Sequence, residues 1–304
     1  MTLKFLRGFN VRGVFWRRFL RWACLNVPVW LEPIAIATWT LIFLLSGPVR
    51  RGVMINLRAI VRGSNNLTNF FRTYVVFWNY AWTITETMRF KELRVVPDWE
   101  FDGYENFLSM VGREGGAIVL TAHMGSYDLG AHLFAAMTDR KILMVRAPEV
   151  DPETQTFEAS HHQTTTGNAF RIDFNTNSTD LAFELLDAAR RGEIVAIQGD
   201  RVTHGISGFR TRLFGLPTDL PAGPFALAMA AGVPIYPLFV IRRGRRHYRL
   251  VARPPILLER VSRRRDDDIQ VAVDAWAAEL ERAIAKSWHQ WFAFEPFSSE
   301  EPTQ

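Results

Sequence analysis

The sequence is poor in cysteine: Cys24 is the only one among 304 residues. One cysteine excludes a disulfide framework within the chain and fits the cytoplasm or its membrane face. Metal-site spacings such as C-x2-C or H-x3-H are also missing, and the adjacent His161 and His162 are typical of a solvated loop. The G-x-S-x-G turn of serine hydrolases does not occur either. We therefore expect no metal, no cofactor and no serine nucleophile.

Long apolar runs are missing as well. The longest one, residues 34–45, follows Glu32 and Pro33 and is shorter than the roughly 20 residues that a membrane span needs. The first 22 residues carry six basic side chains and no acidic one, interleaved with aromatic residues. Because an interfacial helix needs an apolar face and basic flanks, residues 1–48 are predicted to form a helical segment that associates with an anionic membrane surface. A complete span and a buried core helix are the alternatives.

Composition places the rest of the chain among globular proteins. Hydrophobic residues make up 48% of the sequence, which is enough for a large core. The net charge is +5, and further basic clusters lie at 242–249 and 263–265. Basic clusters also occur in nucleic-acid-binding proteins, but the chain has no recognition motif of that kind. We therefore predict no nucleic-acid partner.

Short apolar runs alternate with helical patterns after a mostly helical region at 1–90. The predicted strands are 116–120, 141–145, 193–197, 234–241 and 248–251, and the predicted helices among them are 128–138, 179–191, 222–231 and 267–286. Such alternation indicates an α/β fold in which helices flank a central mixed, largely parallel sheet. Residues 49–304 are predicted to form this domain, after the membrane-associating segment 1–48.

A histidine stands where the first predicted strand ends. Asp128 lies five positions after His123, on the turn into the next helix. A carboxylate fixes the tautomer of an imidazole and stabilises its protonated form, so the two residues are candidates for a general base and its partner. Gly125 permits a tight turn, and Ser126 can cap the helix or offer a hydroxyl. A purely structural hydrogen bond is the alternative.

Charged residues also follow two other predicted strands. These ends carry Arg146, Gly199, Asp200 and Arg201. Since sites in α/β folds form beyond the carboxyl ends of strands, we expect these residues in one cleft with His123. A glycine-rich loop that includes Gly215 follows, and Gly223 opens the next helix. This arrangement suits an anionic group, with a plain surface loop as the alternative.

The blocks, in this order, resemble the bacterial lipid A biosynthesis acyltransferase family, part of the lysophospholipid acyltransferase superfamily. The matching stretches are "GAIVLTAHMGSYDLGA", "MVRAPEVDP", "GEIVAIQGDRVTHG" and "TRLFGLPTDLPAGPFALAMAAGVPIYPLFV". They place His123, Asp128, Arg146, Asp200, Phe214 and Gly215 at positions of the family's motifs. "RRGVMINLRAI" resembles the family's helix before the domain.

The resemblance implies a membrane-associated acyltransferase on the cytoplasmic face of the bacterial inner membrane. His123 would act as general base on an acceptor hydroxyl, Asp128 would hold the imidazole, and Arg146 or backbone amides would stabilise the oxyanion. The donor would be a thioester of acyl carrier protein or coenzyme A. The acceptor would be a lipid A precursor or another membrane lipid.

Other residues of these blocks are expected to bind substrate. They are Arg146, Asp200, Arg201, Gly125, Ser126, Gly199, Phe214, Gly215 and Gly223. Two other functions stay open at this point. One is a thioesterase or lipid hydrolase that uses the same histidine and carboxylate on water, and the other is a lipid-binding protein that has kept the fold.

Overall fold

A computed structural model of the chain describes residues 14–146, 170–174, 179–202 and 207–300. Within these ranges, four helices come first, and an α/β domain that contains the other five follows. The helices are α1 (Val14–Asn26), α2 (Glu32–Leu44), α3 (Gly47–Ile60), α4 (Asn66–Leu93), α5 (Tyr104–Val111), α6 (Tyr127–Met137), α7 (Thr179–Arg190), α8 (Gly223–Ala231) and α9 (Arg265–Ser287). A short 3-10 helix, Trp288–Gln290, continues α9.

A seven-stranded sheet forms the centre of the α/β domain. The strands are β1 (Asp98–Asp102), β2 (Ala117–Thr121), β3 (Ile142–Arg146), β4 (Phe170–Phe174), β5 (Ile194–Gln198), β8 (Ile235–Gly244) and β9 (His247–Ala252), whereas β6 (Gly208–Leu213) and β7 (Leu216–Pro221) form a separate hairpin. The order across the sheet is β1-β9-β8-β2-β5-β3-β4. Only β8 and β9 pair antiparallel in it; the other neighbours are parallel. The predicted mixed, largely parallel sheet with flanking helices is confirmed.

Helices cover both faces of this sheet because its central strands are apolar throughout. All five residues of β2 are buried. One face packs against α7, α8 and α9, with Trp276 of α9 stacked on Phe239 of β8. The opposite face packs against α5 and α6. With both faces covered, the carboxyl ends of the strands are the natural place for a site.

The first helices pack against α4 and leave an apolar surface. Cys24 lies against Thr85 of α4, and burial raises the pKa of its thiol to about 12, so this cysteine stays protonated. Glu32 of α2 is buried and forms ion pairs with Arg89 of α4 and Arg245 beside β8. Large hydrophobic side chains on α1, α2, α4 and the turn between α1 and α2 nevertheless remain exposed; they include Phe15, Trp22, Trp30, Ile34, Leu41, Leu67 and Phe71.

Among the described residues, no single helix is long and apolar enough to cross a membrane. The pair α2 and α3 passes that test together on length and composition, with a bend of 91° at the break between them. The boundary predicted at residue 48 falls in the first turn of α3. Residues 1–13, which contain several of the basic residues noted in the sequence, lie outside the described residues.

The glycine-rich loop predicted after Arg201 is wrong in part, because residues 208–221 form the β6–β7 hairpin. The side chains of β6 alternate between outward arginines and the inward Phe209 and Leu213, which is the period of a strand. Phe214 and Gly215 make the turn, both with positive φ. The glycine and proline content hid this alternation in the sequence.

Candidate active site

Strand register brings His123 together with Asp200. In the parallel pair β2 and β5, Thr121 lies opposite Gln198, so the residues two positions further along also lie side by side. The imidazole Nδ1 of His123 is 2.7 Å from Oδ1 of Asp200, and the backbone N–H of His123 donates to the same oxygen at 3.2 Å. The Asp200 side chain is fully buried, whereas 34% of the His123 side chain is exposed. A buried carboxylate thus holds a histidine that solvent can reach.

Donors from three residues surround the Asp200 carboxylate. The indole Nε1 of Trp291 donates to Oδ2 at 3.0 Å, and a guanidinium nitrogen of Arg201 donates to the same oxygen at 3.0 Å. Burial by itself raises the pKa of Asp200. The charges of His123 and Arg201, with the hydrogen bonds from His123 and Trp291, outweigh burial and hold this pKa well below its ordinary value. Asp200 therefore remains an anion at any physiological pH.

The loop that carries His123 is wedged between β8 and the segment after α9. Gly125 has φ of +54°, and a Cβ there would lie 1.7 Å from the carbonyl oxygen of Val240, so only glycine fits. The backbone N–H of Gly125 donates to the Gln290 carbonyl at 2.9 Å, and that of Phe292 donates to the His123 carbonyl at 2.8 Å. Residues 290–293 are thus one wall of the site.

Asp128 does not hold the imidazole through Nδ1, and this corrects the predicted pairing. Its carboxylate contacts the guanidinium of Arg146, which also lies over the ring of Tyr127 at 5.8 Å. The physical reason is that Asp128, in the first turn of α6, contacts Arg146 at the end of β3, whereas Asp200 follows β5, which pairs with the strand that precedes His123. Arg146 and Asp200 both lie at the carboxyl edge of the parallel strands at which His123 stands.

Two further residues predicted to bind substrate are, like Gly125 and Asp200, buried inside the protein. Ser126 is 1% exposed, and its hydroxyl lies 3.1 Å from that of Thr87 on α4. The Gly199 N–H donates to the Thr121 carbonyl at 2.8 Å, and its carbonyl accepts from the Trp276 indole at 2.9 Å. Both residues therefore shape the site from behind and do not line it.

The remaining predicted residues lie further out. The Phe214 N–H donates to the Glu281 carboxylate at 2.6 Å, and its ring is 6.3 Å from that of Phe297, which in turn lies 5.6 Å from Trp291. Gly215 completes the hairpin turn. Gly223 is exposed at the start of α8, with open space around it.

Sequence reasoning missed Trp291 and its support. The amide of Asn56 on α3 donates to the carbonyls of Ala293 and Glu295, both at 2.9 Å, and its oxygen accepts from the Phe297 N–H at 3.1 Å. This clamp keeps the segment after α9 against the site. The signal in the sequence is the aromatic density of "SWHQWFAFEPF", which names no partner by itself.

Behind the pair, two polar atoms are buried. Thr121 Oγ1 and Gln198 Nε2 lie on directly opposite residues of β2 and β5, and neither has a hydrogen-bond partner in the part of the chain that the structure describes. In the same part of the chain, no group of three or more His, Cys, Asp or Glu side chains is placed to hold a metal ion. The polar groups at this edge therefore suit proton transfer and the binding of a polar reacting group.

A partly exposed histidine held by a buried aspartate at the carboxyl edge of an α/β sheet is an arrangement in which the imidazole can act as a general base. The family model for bacterial lipid A biosynthesis acyltransferases matches residues 67–296, and the chain belongs to this family. It is accordingly an acyltransferase of the lipid A biosynthesis type. No curated protein matches the chain.

Proposed function

We propose that this enzyme transfers a fatty acyl chain from the thioester of acyl carrier protein or coenzyme A to a hydroxyl of a membrane lipid, such as a lipid A precursor. The observation that carries the proposal is the His123–Asp200 pair at an open strand edge, with Nδ1 facing the carboxylate. This geometry assigns the proton to Nδ1 and leaves Nε2 as the basic nitrogen. The imidazole is then set to take a proton from an acceptor hydroxyl.

In the reaction, Nε2 of His123 removes the proton while the acceptor oxygen attacks the thioester carbonyl. The tetrahedral intermediate collapses with cleavage of the C–S bond, and the imidazolium returns the proton to the leaving thiolate. Asp200 stabilises the imidazolium without being protonated itself, because its pKa is held low. General-base catalysis of this kind contributes about 10²- to 10⁴-fold.

Asp128 and Arg146 have a different part in the proposal. The Arg146 guanidinium stabilises the oxyanion of the intermediate, and Asp128, which contacts it, is a positioning residue. An arginine held by a carboxylate keeps its donors in place before the charge develops. His123 and Asp128 thus both serve the reaction in this proposal, although they contact different partners.

The exposed apolar surface of α1, α2 and α4 supports attachment to a membrane. Trp30 is 75% exposed and Phe15 is 69% exposed, which is unusual for side chains of this size in contact with water alone. Basic residues also lie on α1 and α3, at 17, 18, 21, 50 and 51, of which Arg21 is paired with Glu92. A basic residue that meets an anionic headgroup is worth about 1 kcal/mol near the surface. The enzyme would then work at the level of its acceptor's headgroup.

An assay with purified enzyme tests the reaction. It follows thiol release from an acyl thioester with and without a lipid acceptor, together with formation of the acylated lipid. We expect release to depend on the acceptor, and His123→Ala to lower it about 10²- to 10⁴-fold. His247→Ala is the matched control, because His247 is exposed and paired with Glu100 on β1. Hydrolysis that is equally fast without acceptor would indicate a thioesterase instead.

Flotation with vesicles tests the attachment. Trp30→Ser combined with Phe15→Ser should weaken binding to vesicles that contain anionic lipid. Val261→Ser combined with Val271→Ser is the control, since these residues are as exposed but lie near or on α9. Equal flotation of both double variants would contradict attachment through α1 and α2.

A further inference from the structure

A polar cavity of about 260 Å³ lies between α9 and the strands β8 and β9, apart from the active site. Its floor is apolar and includes Phe239 and Val251. Five cationic side chains line it: Arg243, Arg249, Arg253, Arg282 and Lys286. We call these five residues and the space between them the basic cavity. Nothing in the reaction described above uses it.

Carboxylates only partly neutralise the basic cavity. Glu100 is shared by Arg249 at 2.6 Å and Arg243 at 3.5 Å, while Glu279 is shared by Arg253 at 3.0 Å and by Arg282. Asp102 is the third carboxylate, so five cations meet three anions. Within the described residues, Lys286 has no ion-pair partner. The surplus positive charge and the several N–H donors suit a phosphate group, which arginine and lysine bind through charge-assisted hydrogen bonds.

The basic cavity is joined to the active site by a short piece of chain. Lys286 and Ser287 end α9, and the 3-10 helix that follows reaches Gln290, whose carbonyl accepts from Gly125 in the loop of His123. The three residues of this helix rise by roughly 6 Å. In addition, β8 is the direct neighbour of β2, which carries His123 at its end. A substrate with an extended linker can therefore place one of its groups in the cavity and another at His123.

We propose that the basic cavity binds the phosphate group of the 4′-phosphopantetheine arm of the acyl donor. Both carriers of acyl thioesters contain this arm, in which an extended chain joins the thiol to a phosphate. With the thioester carbonyl at His123, the arm would run along residues 287–290 and place its phosphate among the arginines. The proposal rests on the proposed function, because it assumes that the donor is such a thioester.

The test compares acyl-pantetheine with acyl-4′-phosphopantetheine, which differ only in the phosphate. We expect the unaltered enzyme to prefer the phosphorylated donor in kcat/KM by about 10-fold or more, mainly through KM. Lys286→Ala should reduce this preference several-fold, Lys286→Arg should restore it, and the control Lys141→Ala, exposed before β3, should leave it as it is. Acyl-coenzyme A and acyl carrier protein are then compared with the same variants.

Each outcome has a distinct meaning. A larger KM for only one carrier supports the cavity and assigns it to that carrier. Equal use of the two pantetheine donors by the unaltered enzyme, or an unchanged preference in Lys286→Ala, overturns the proposal. Transfer from acyl-pantetheine needs no phosphate, so it reports on the proposed function separately. Its loss in His123→Ala concerns the reaction, and the donor preference concerns the basic cavity.

Discussion

Two buried carboxylates, Asp200 and Glu86, have similar hydrogen-bond donors, but the side chains that they hold differ in their access to solvent. Asp200 accepts from the His123 imidazole, the Trp291 indole and Arg201. Glu86 of α4, whose side chain is 6% exposed, accepts from the Arg242 guanidinium at 3.0 Å, from the Arg246 N–H at 3.0 Å and from the Tyr248 hydroxyl. Each site therefore combines an acid, an arginine and an aromatic donor.

The difference lies in what the carboxylate holds. Burial and the charge of Glu86 raise the pKa of Tyr248, so its hydroxyl stays protonated and remains a donor. The partners of Glu86 are themselves enclosed between α4 and the β8–β9 hairpin. Asp200 instead holds a side chain that solvent reaches. The same chemical groups thus join two parts of the fold at Glu86 and, at Asp200, hold the histidine that we propose as the base.

The largest expected effect distinguishes Asp200 from Asp128. Asp200→Asn should lower acyl transfer about 10²- to 10⁴-fold, because the imidazolium loses its counter-charge. Combined with His123→Ala, it should cost little more than either change alone, since the pair acts as a unit. The measurement is kcat with a saturating thioester donor.

The same cycle with Asp128→Asn should be closer to additive, because Asp128 contacts Arg146 and not Nδ1 of His123. Asp219→Asn, half exposed on β7, is the control for loss of an acidic side chain. If Asp128→Asn proved non-additive with His123→Ala and Asp200→Asn additive, the assignment of the two carboxylates would have to be exchanged.

The second effect should be on stability. Glu86→Gln leaves the buried Arg242 without a counter-charge and should lower the free energy of unfolding by about 3–5 kcal/mol. Activity per folded molecule should change much less. Urea unfolding of Glu86→Gln and of the exposed control Glu184→Gln measures the difference, and the control should lose less than about 1 kcal/mol. An equal loss of unfolding free energy in the two variants would contradict the structural role of Glu86.

The third effect concerns Trp291. Replacing it with phenylalanine keeps an aromatic ring but removes the N–H that donates to Asp200. A hydrogen bond to a charged group contributes about 1.5–3 kcal/mol. We therefore expect kcat to fall by about 10- to 10²-fold with the fold intact. Trp99→Phe on the edge strand β1 controls for loss of an indole. Full activity of Trp291→Phe would mean that the hydrogen bonds from His123 and Arg201 are enough to hold the Asp200 carboxylate.

The smallest effect is a pH dependence. Burial and the nearby charge of Arg243 lower the pKa of His289. Below the ordinary histidine pKa of about 6.5, the unfolded chain then binds more protons at this residue than the folded protein does, so stability falls as the pH decreases. His289→Gln should flatten this dependence between pH 7.5 and 5.5 in urea unfolding. Identical pH dependence in both proteins would contradict the shift.

Much of the sheet could be predicted from the sequence, because its central strands are continuous apolar runs between helical patterns. The strands β1 and β4, "DWEFD" and "FRIDF", escaped since they are polar at alternate positions and lie at the edges of the sheet. The β6–β7 hairpin escaped because proline and glycine mask its alternation. Edge strands depend on their neighbours more than on their own composition.

The site was predicted as a set of residues but not as a set of contacts. His123, Asp200 and Arg146 were found because each ends a strand. Their pairing was not found, because His123 and Asp200 are 77 positions apart and meet only through the register of β2 and β5. Proximity in sequence favoured Asp128 over Asp200. Trp291 comes from a still more distant segment, and no spacing rule connects it to a histidine.

The dependence of the His123 loop on residues 290–293 has a consequence for the order of assembly. During synthesis, the strands that carry His123 and Asp200 leave the ribosome long before Gln290 and Trp291 do. The loop then lacks the carbonyl that Gly125 donates to, and Asp200 lacks its indole donor. A nascent or truncated chain would contain its base and its acid without a finished catalytic centre. Catalytic competence would thus arrive late in biogenesis, once the sheet has already formed.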